Sequence, residues 1–144
     1  MFLMLHLSMA DTVLALESHH ALILEHVDFI HRRYHIYRDV KPKISSLQQI
    51  LLNHFALQTK ELYAALTEFF ENDREKSKLL EFLIYDLKEL KIKTLGFFDE
   101  HPADMGDTRA KKFIQEFENY SDHLVSRIHH EKKYLIPFLE EKSR

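Results

Sequence analysis

At 144 residues with a formal net charge of −3, the chain is sized for one ordinary domain with a real core. Its near-balanced charge, with no basic run, offers no electrostatic footprint for nucleic acid. It has no Cys, which excludes disulfides, thiolate chemistry and iron–sulfur clusters and fits a cytoplasmic location.

The opening MFLMLHLSMA is apolar but carries no Lys or Arg ahead of its apolar run, and it is too short to span a bilayer. Residues 1–8 are expected to form a loose extension and residues 9–144 a single domain. No other segment is a membrane-span candidate. With only 2 Gly and 3 Pro, the chain should form long helices joined by short loops.

Helix A is predicted over about 10–38, ending before KPK. Its apolar stripe is Val13, Leu16, His20, Ile23, Val27, Ile30, Tyr34 and Tyr37, in steps of three and four. Helix B is predicted over about 44–71, with Ile44, Leu47, Leu51, His54, Gln58, Glu61, Leu62, Ala65 and Phe69 on its inward face. ENDREKS is the turn that follows. Helix C covers about 76–100 and stops at HP, since Pro102 disfavours helix in the residue before it. Its stripe is Leu80, Leu83, Leu87, Leu90, Thr94 and Phe97, with Asp86 at the edge. HPADMGD is the second loop, with Asp107 or Thr108 as the N-cap. Helix D covers about 108–141, with the stripe Phe113, Phe117, Tyr120, Leu124, Arg127, Glu131, Leu135 and Phe138.

Polar residues interrupt all four stripes. His20, His54 with Gln58 and Glu61, Asp86, and Arg127 with Glu131 sit on or beside faces that should be apolar. In an all-α, up-down-up-down four-helix bundle they would meet at one level of the core. Burying each charge alone would cost several kcal/mol, so they should be paired or bound to metal. Two chemistries satisfy that demand. In one, His20, His54, Asp86 and Glu131 hold one or two metal ions, with Gln58, Glu61, Arg127 and His130 supporting them. In the other, Arg127 is itself the cation and the core is a metal-free ion-pair network. Of the remaining histidines, His19 neighbours His20 and would replace it if the helical phase were shifted by one. His26, His31, His35, His101 and His123 are expected to face solvent.

No catalytic reaction is assigned. There is no identifiable Ser-His-Asp set and no Gly-rich phosphate loop, and HHEKK lacks the second His of a zinc-protease helix.

RIHHEKKYLIPFL in helix D resembles the closing motif of hemerythrin-like, cation-binding HHE domains. Glu131, Leu135 and Pro137 match that motif, and Arg127 stands where the family has His. NHFALQTKELYAAL in helix B is similar to the family's earlier half-motif: His54 and Leu62-Tyr63 match, Gln58 stands where Glu is usual, and Ala64 where Pro is usual. SHHALILEH resembles the family's opening helix, with His20 as the matching ligand, and the helix-C ligand would fall near Asp86. The resemblance implies a four-helix bundle built around a di-iron centre, in proteins that carry or sense oxygen, sense iron or help repair iron centres. With Gln58 and Arg127 at ligand positions, it implies a reduced or relic site holding one or two iron ions or none, in a non-catalytic metal-binding or stress-sensing protein. A second resemblance rests on Arg-x-x-x-Glu followed by Leu-Ile in helix D, His-Phe in helix B and GFFDEH at the end of helix C. These are similar to bacterial regulators of sigma D, metal-free helical proteins that bind the primary sigma factor of RNA polymerase, and they imply a protein partner.

Overall fold

A computed structural model describes residues 8–101 and 110–144, and all the regular structure among them is helical. The helices are α1 (Met9–Arg33), α2 (Tyr37–Leu57), α3 (Lys60–Phe69), α4 (Arg74–Glu100) and α5 (Ala110–His130). A π-helical turn, Glu131–Leu135, continues α5 into α6 (Ile136–Ser143). The expected loose segment, apart from Ser8, and the expected N-cap at Asp107 or Thr108 lie outside the described residues.

Helix starts follow local chemistry. The Ser8 hydroxyl accepts the Asp11 N–H at 3.0 Å to open α1, and the Asp73 carboxylate accepts the Lys76 N–H at 3.1 Å to open α4. Each satisfies a donor that the first helical turn leaves without a partner. The short turn at 34–36 brings α2 back along α1, the most extensive helix pairing in the molecule. α4 packs on α5, α6 packs on α1, and α3 touches both α4 and α6. The predicted stripes of helices C and D are buried throughout, and helix A is buried from Val13 to Ile30.

Three departures from the expected elements matter for the site. First, helix A ends at Arg33 and not near 38, and KPK is not a loop, because α2 begins at Tyr37 and runs through Pro42. Pro42 sits in the second turn, so its missing N–H costs a single bond. Tyr37, Val40, Ile44 and Leu47 are buried in unbroken helical steps across it, and that packing outweighs the local preference.

Second, predicted helix B is two helices. Gln58 leaves the helix (φ −98°, ψ 71°), and Thr59 restarts it as an N-cap whose hydroxyl accepts the Leu62 N–H at 3.0 Å. The break advances the buried phase by one residue. Tyr63, Leu66 and Phe70 are in the core, where Leu62, Ala65 and Phe69 were expected, and Phe69 is 49% exposed.

Third, helix D is not uniformly α-helical. The Ile136 N–H reaches back to the Glu131 carbonyl, and the wider turn absorbs one extra residue. Arg127, Glu131 and Leu135 are two successive steps of four. An unbroken α-helix would drift out of phase over that span, and the π turn keeps all three inside. Pro137 follows at the start of α6, where a ring without an N–H disfavours an unbroken α-helical ladder.

Candidate functional site

Arg127 and Glu131 lie one turn apart on the buried face of helix D, 1% and 0% exposed. Their partners come from four other stretches of chain. The Glu131 carboxylate takes N–H groups at both oxygens. Oε1 accepts from His20 Nε2 at 2.7 Å and from His54 Nε2 at 2.8 Å. Oε2 accepts from Arg127 Nε at 2.7 Å and from the Gln58 amide at 2.9 Å. A carboxylate has about four lone-pair positions, so this one is saturated.

The guanidinium is equally committed. Nη1 donates to the Leu83 carbonyl at 2.7 Å and to Asp86 Oδ2 at 3.4 Å. Nη2 donates to Gln58 Oε1 and to Tyr63 Oη, both at 2.8 Å, and the Tyr63 hydroxyl donates onward to Gln58 Oε1 at 2.8 Å. With Nε on Glu131, all five guanidinium N–H groups have acceptors. Asp86, at the rim, ties the arginine to His123 Nε2 at 2.9 Å.

The break at Gln58 makes this closure possible. As an ordinary residue of a continuous helix, Gln58 would present its side chain one turn beyond His54. Freed from the helix, it is buried and bridges Glu131 and Arg127 through both ends of its amide.

The electrostatics follow from these contacts. Burial alone would raise the Glu131 carboxyl. The hydrogen bonds from His20 and His54 and the charge of Arg127 outweigh it and hold the group well below its usual 4.5. Burial would likewise weaken the arginine cation, but Tyr63, Glu131 and Asp86 overturn that and strengthen it. Burial pushes the Tyr63 hydroxyl up to about 12, so it stays protonated and keeps its bond to Gln58. His19, its Nδ1 3.2 Å from His54 Nδ1, is held below its usual 6.5, first by partial burial and then by His54 and His20.

A pH dependence follows. Because the native Glu131 pKa lies below the unfolded value near 4.5, its stabilising contribution is complete above that pH and declines as pH falls toward the native value. The melting temperature should therefore drop as the solution is acidified below about 4.5, and Glu131→Gln should flatten that segment. Equal slopes in variant and wild type would assign the acid limit to other carboxylates.

Of the expected ligands, the structure brings together His20, His54 and Glu131, whose ligand atoms lie within 4.8 Å of one another. Asp86 is separated from them by the guanidinium and bonds to His123 and Arg127 instead. Glu61 is exposed, because the break at Gln58 turns α3 about its axis, and it takes no part in the network. His130 is half-buried against Phe82, with ring centroids 5.1 Å apart, and does not reach the cluster. Two histidines expected in solvent are buried. His26 bonds the Leu22 carbonyl at 2.8 Å, and His101 faces Glu116 at 3.2 Å. Tyr63 was missed as a member of the network because the predicted phase turned it outward.

The di-iron centre implied by the hemerythrin-like resemblance does not fit these residues. Both histidines direct Nε2 at a carboxylate that only accepts, so each carries its proton there. Metal ligation through Nε2 would move that proton to Nδ1. His20 Nδ1 is buried with no hydrogen-bond partner among the described residues, so the move would strand an N–H in the core, where ligating histidines normally have an acceptor. The contacts of 2.7 and 2.8 Å from nitrogen to Oε1 are hydrogen-bond lengths. Arg127, a permanent cation that cannot ligate a metal, occupies Oε2 of Glu131 through its Nε–H.

No family model, curated protein or solved structure matches the chain. Among the described residues, no helix is long and apolar enough to cross a membrane.

Proposed function

We propose that this chain is a hemerythrin-like four-helix bundle in which an arginine has taken the place of the metal, and that it acts as a non-catalytic interaction protein. One observation carries the reading: the Arg127 guanidinium has all five donors placed, and the carboxylate it faces has all four acceptor positions filled. In a core so closed, neither the guanidinium nor the carboxylate has a position left open to a substrate or ligand. Its role is to hold the helices in one arrangement, so function moves to the outer faces. A metal-free polar core is also what the resemblance to regulators of sigma D implies.

A second reading has a specific observation of its own. His20, His54 and Glu131 form a group of two nitrogens and one carboxylate, a donor set that suits a single transition-metal ion. Metal analysis decides between the two. Protein purified without tag or chelator, then incubated with iron, manganese or zinc and desalted, is expected to retain far less than one ion per chain. Stoichiometric metal that His54→Ala removes would overturn the metal-free reading and establish the single-ion site.

A further inference from the structure

The C-terminal end of α4 gathers negative charge. Its last turn closes on Asp99 and Glu100 and contains no basic residue. The helix dipole already places partial negative charge at that end, which favours a cation there. α5 brings a further carboxylate, Glu116, to the same place.

His101 completes the group. Sequence neighbours within a helix point about 100° apart. α4 stops at Glu100, however, and His101 leaves the helical backbone (φ −127°, ψ 60°), so its ring can return beside Glu100. Ligand atoms of Glu100, His101 and Glu116 lie within 4.8 Å of one another. The imidazole is 1% exposed and packs on Phe97 and Phe113, with ring centroids 5.0 and 5.5 Å away. That packing holds its Nε2 toward Glu116 Oε1 at 3.2 Å.

Two features set this group apart from the core cluster. Ligands of a tetrahedral zinc ion, each about 2.0–2.1 Å from the metal, stand about 3.3 Å from one another. The His101–Glu116 separation of 3.2 Å matches that spacing, and the 2.7 and 2.8 Å contacts to Glu131 fall short of it. The carboxylates here are also partly exposed and unsaturated. The cation beside both is Lys112, whose Nζ stands 3.6 Å from Glu100 Oε2 and 3.6 Å from Glu116 Oε1, too far to hydrogen-bond either. Its side chain is 54% exposed and free to swing away. A cavity of about 350 Å³, lined in part by Gly96, Tyr120 and both glutamates, leaves room for water on the open side.

We propose that Glu100, His101 and Glu116 form a zinc site, with one imidazole nitrogen, two carboxylate oxygens and a water around the ion, and that Lys112 is the cation the ion displaces. The ion takes the place of the proton on His101 Nε2. Its ligands come from the end of one helix and the start of the next, so bound zinc ties α4 to α5. The site stands apart from the reading of the core. With two of its three ligands partly in solvent and a lysine to displace, it exchanges zinc freely and releases it on desalting.

The test titrates the full chain, stripped of metal and free of tag and chelator, with Zn²⁺ by calorimetry at equilibrium. A parallel titration uses Co²⁺, whose visible absorbance reports coordination. One zinc per chain with a micromolar dissociation constant is expected. Glu100→Gln and Glu116→Gln should each weaken binding about tenfold or more, and His101→Gln should abolish it together with the tetrahedral cobalt spectrum. Lys112→Met should tighten binding several-fold, because the competing charge is gone. Zinc should raise the melting temperature of the wild type and not that of Glu116→Gln, since the ion binds the folded site; the metal-free melts confirm that each variant folds. No binding, equal affinity in wild type and Glu116→Gln, or no tightening in Lys112→Met overturns the proposal. Zinc that His54→Ala removes and Glu116→Gln keeps also overturns it and places the ion in the core. Zinc that Glu116→Gln removes and His54→Ala keeps supports the site and leaves the metal-free core standing.

Discussion

Arg127→Ala is expected to destabilise the fold by about 3–5 kcal/mol, because it leaves the Glu131 carboxylate buried without its cation. For a chain of this size that corresponds to a fall in melting temperature of about 10 °C or more. The cost arises from what remains as much as from what is lost. Glu131 is fully buried and would keep only its histidine and glutamine donors, and Gln58, Tyr63 and the Leu83 carbonyl would each lose a partner. Glu131→Gln should therefore be less damaging in the Arg127→Ala background than in the wild type, since the charge that needs the arginine is gone. Thermal melts of the four proteins measure this coupling. A melting temperature unchanged by Arg127→Ala would place the guanidinium in solvent and remove the centre of the proposed core.

The second large effect runs in the opposite direction, toward gained metal. If Arg127 and Gln58 occupy positions once held by ligands, Gln58→Glu together with Arg127→His should open the closed network, adding one carboxylate and one imidazole to the donors of His20, His54 and Glu131. Removing the permanent cation and adding a carboxylate turns the local charge from balanced to anionic, which favours a divalent ion. The double variant is expected to bind iron or manganese near-stoichiometrically and to melt higher with metal than without it, because the ion binds the folded state preferentially. Metal content and a melting curve with and without chelator check both points. A folded variant that takes up no metal would mean that the cluster is a polar core without metal-binding geometry, and the hemerythrin-like reading would lose its main support.

The buried network and an exposed groove between α3 and α4 have a common local cause. Gln58 leaves the helix, its amide turns inward to bridge Arg127 and Glu131, and Thr59 restarts the helix in a new phase. The same break turns Glu61 outward and puts Tyr63 at the floor of the groove, hydrogen-bonded to the arginine beneath it. Core and surface meet at two residues, Gln58 and Tyr63, which belong to the network and also line the groove.

The helical character and most of the inward stripes followed from the sequence, because burial imposes a three-to-four residue period that each helix displays independently. The same period exposed Arg127 and Glu131 as intruders on a buried face and put His20 and His54 on faces of the same kind. Which intruders met was a different matter. A stripe shows that a side chain points inward but not at what height or toward which neighbour, so Asp86, at the edge of its stripe, was expected as a ligand together with Glu131 although the guanidinium separates them. The break at Gln58 carried a weak local signal, a Thr able to cap. Its reward is hydrogen bonds to residues about seventy positions away in the chain, which no local pattern encodes. The π turn before Pro137 and the continuation of α2 through Pro42 are similar: each overrides a local backbone preference to keep inward residues in register. Sequence determined which residues the helices would bury. Only tertiary structure decided where the helices had to break, because the energy that sets those breaks comes from long-range partners.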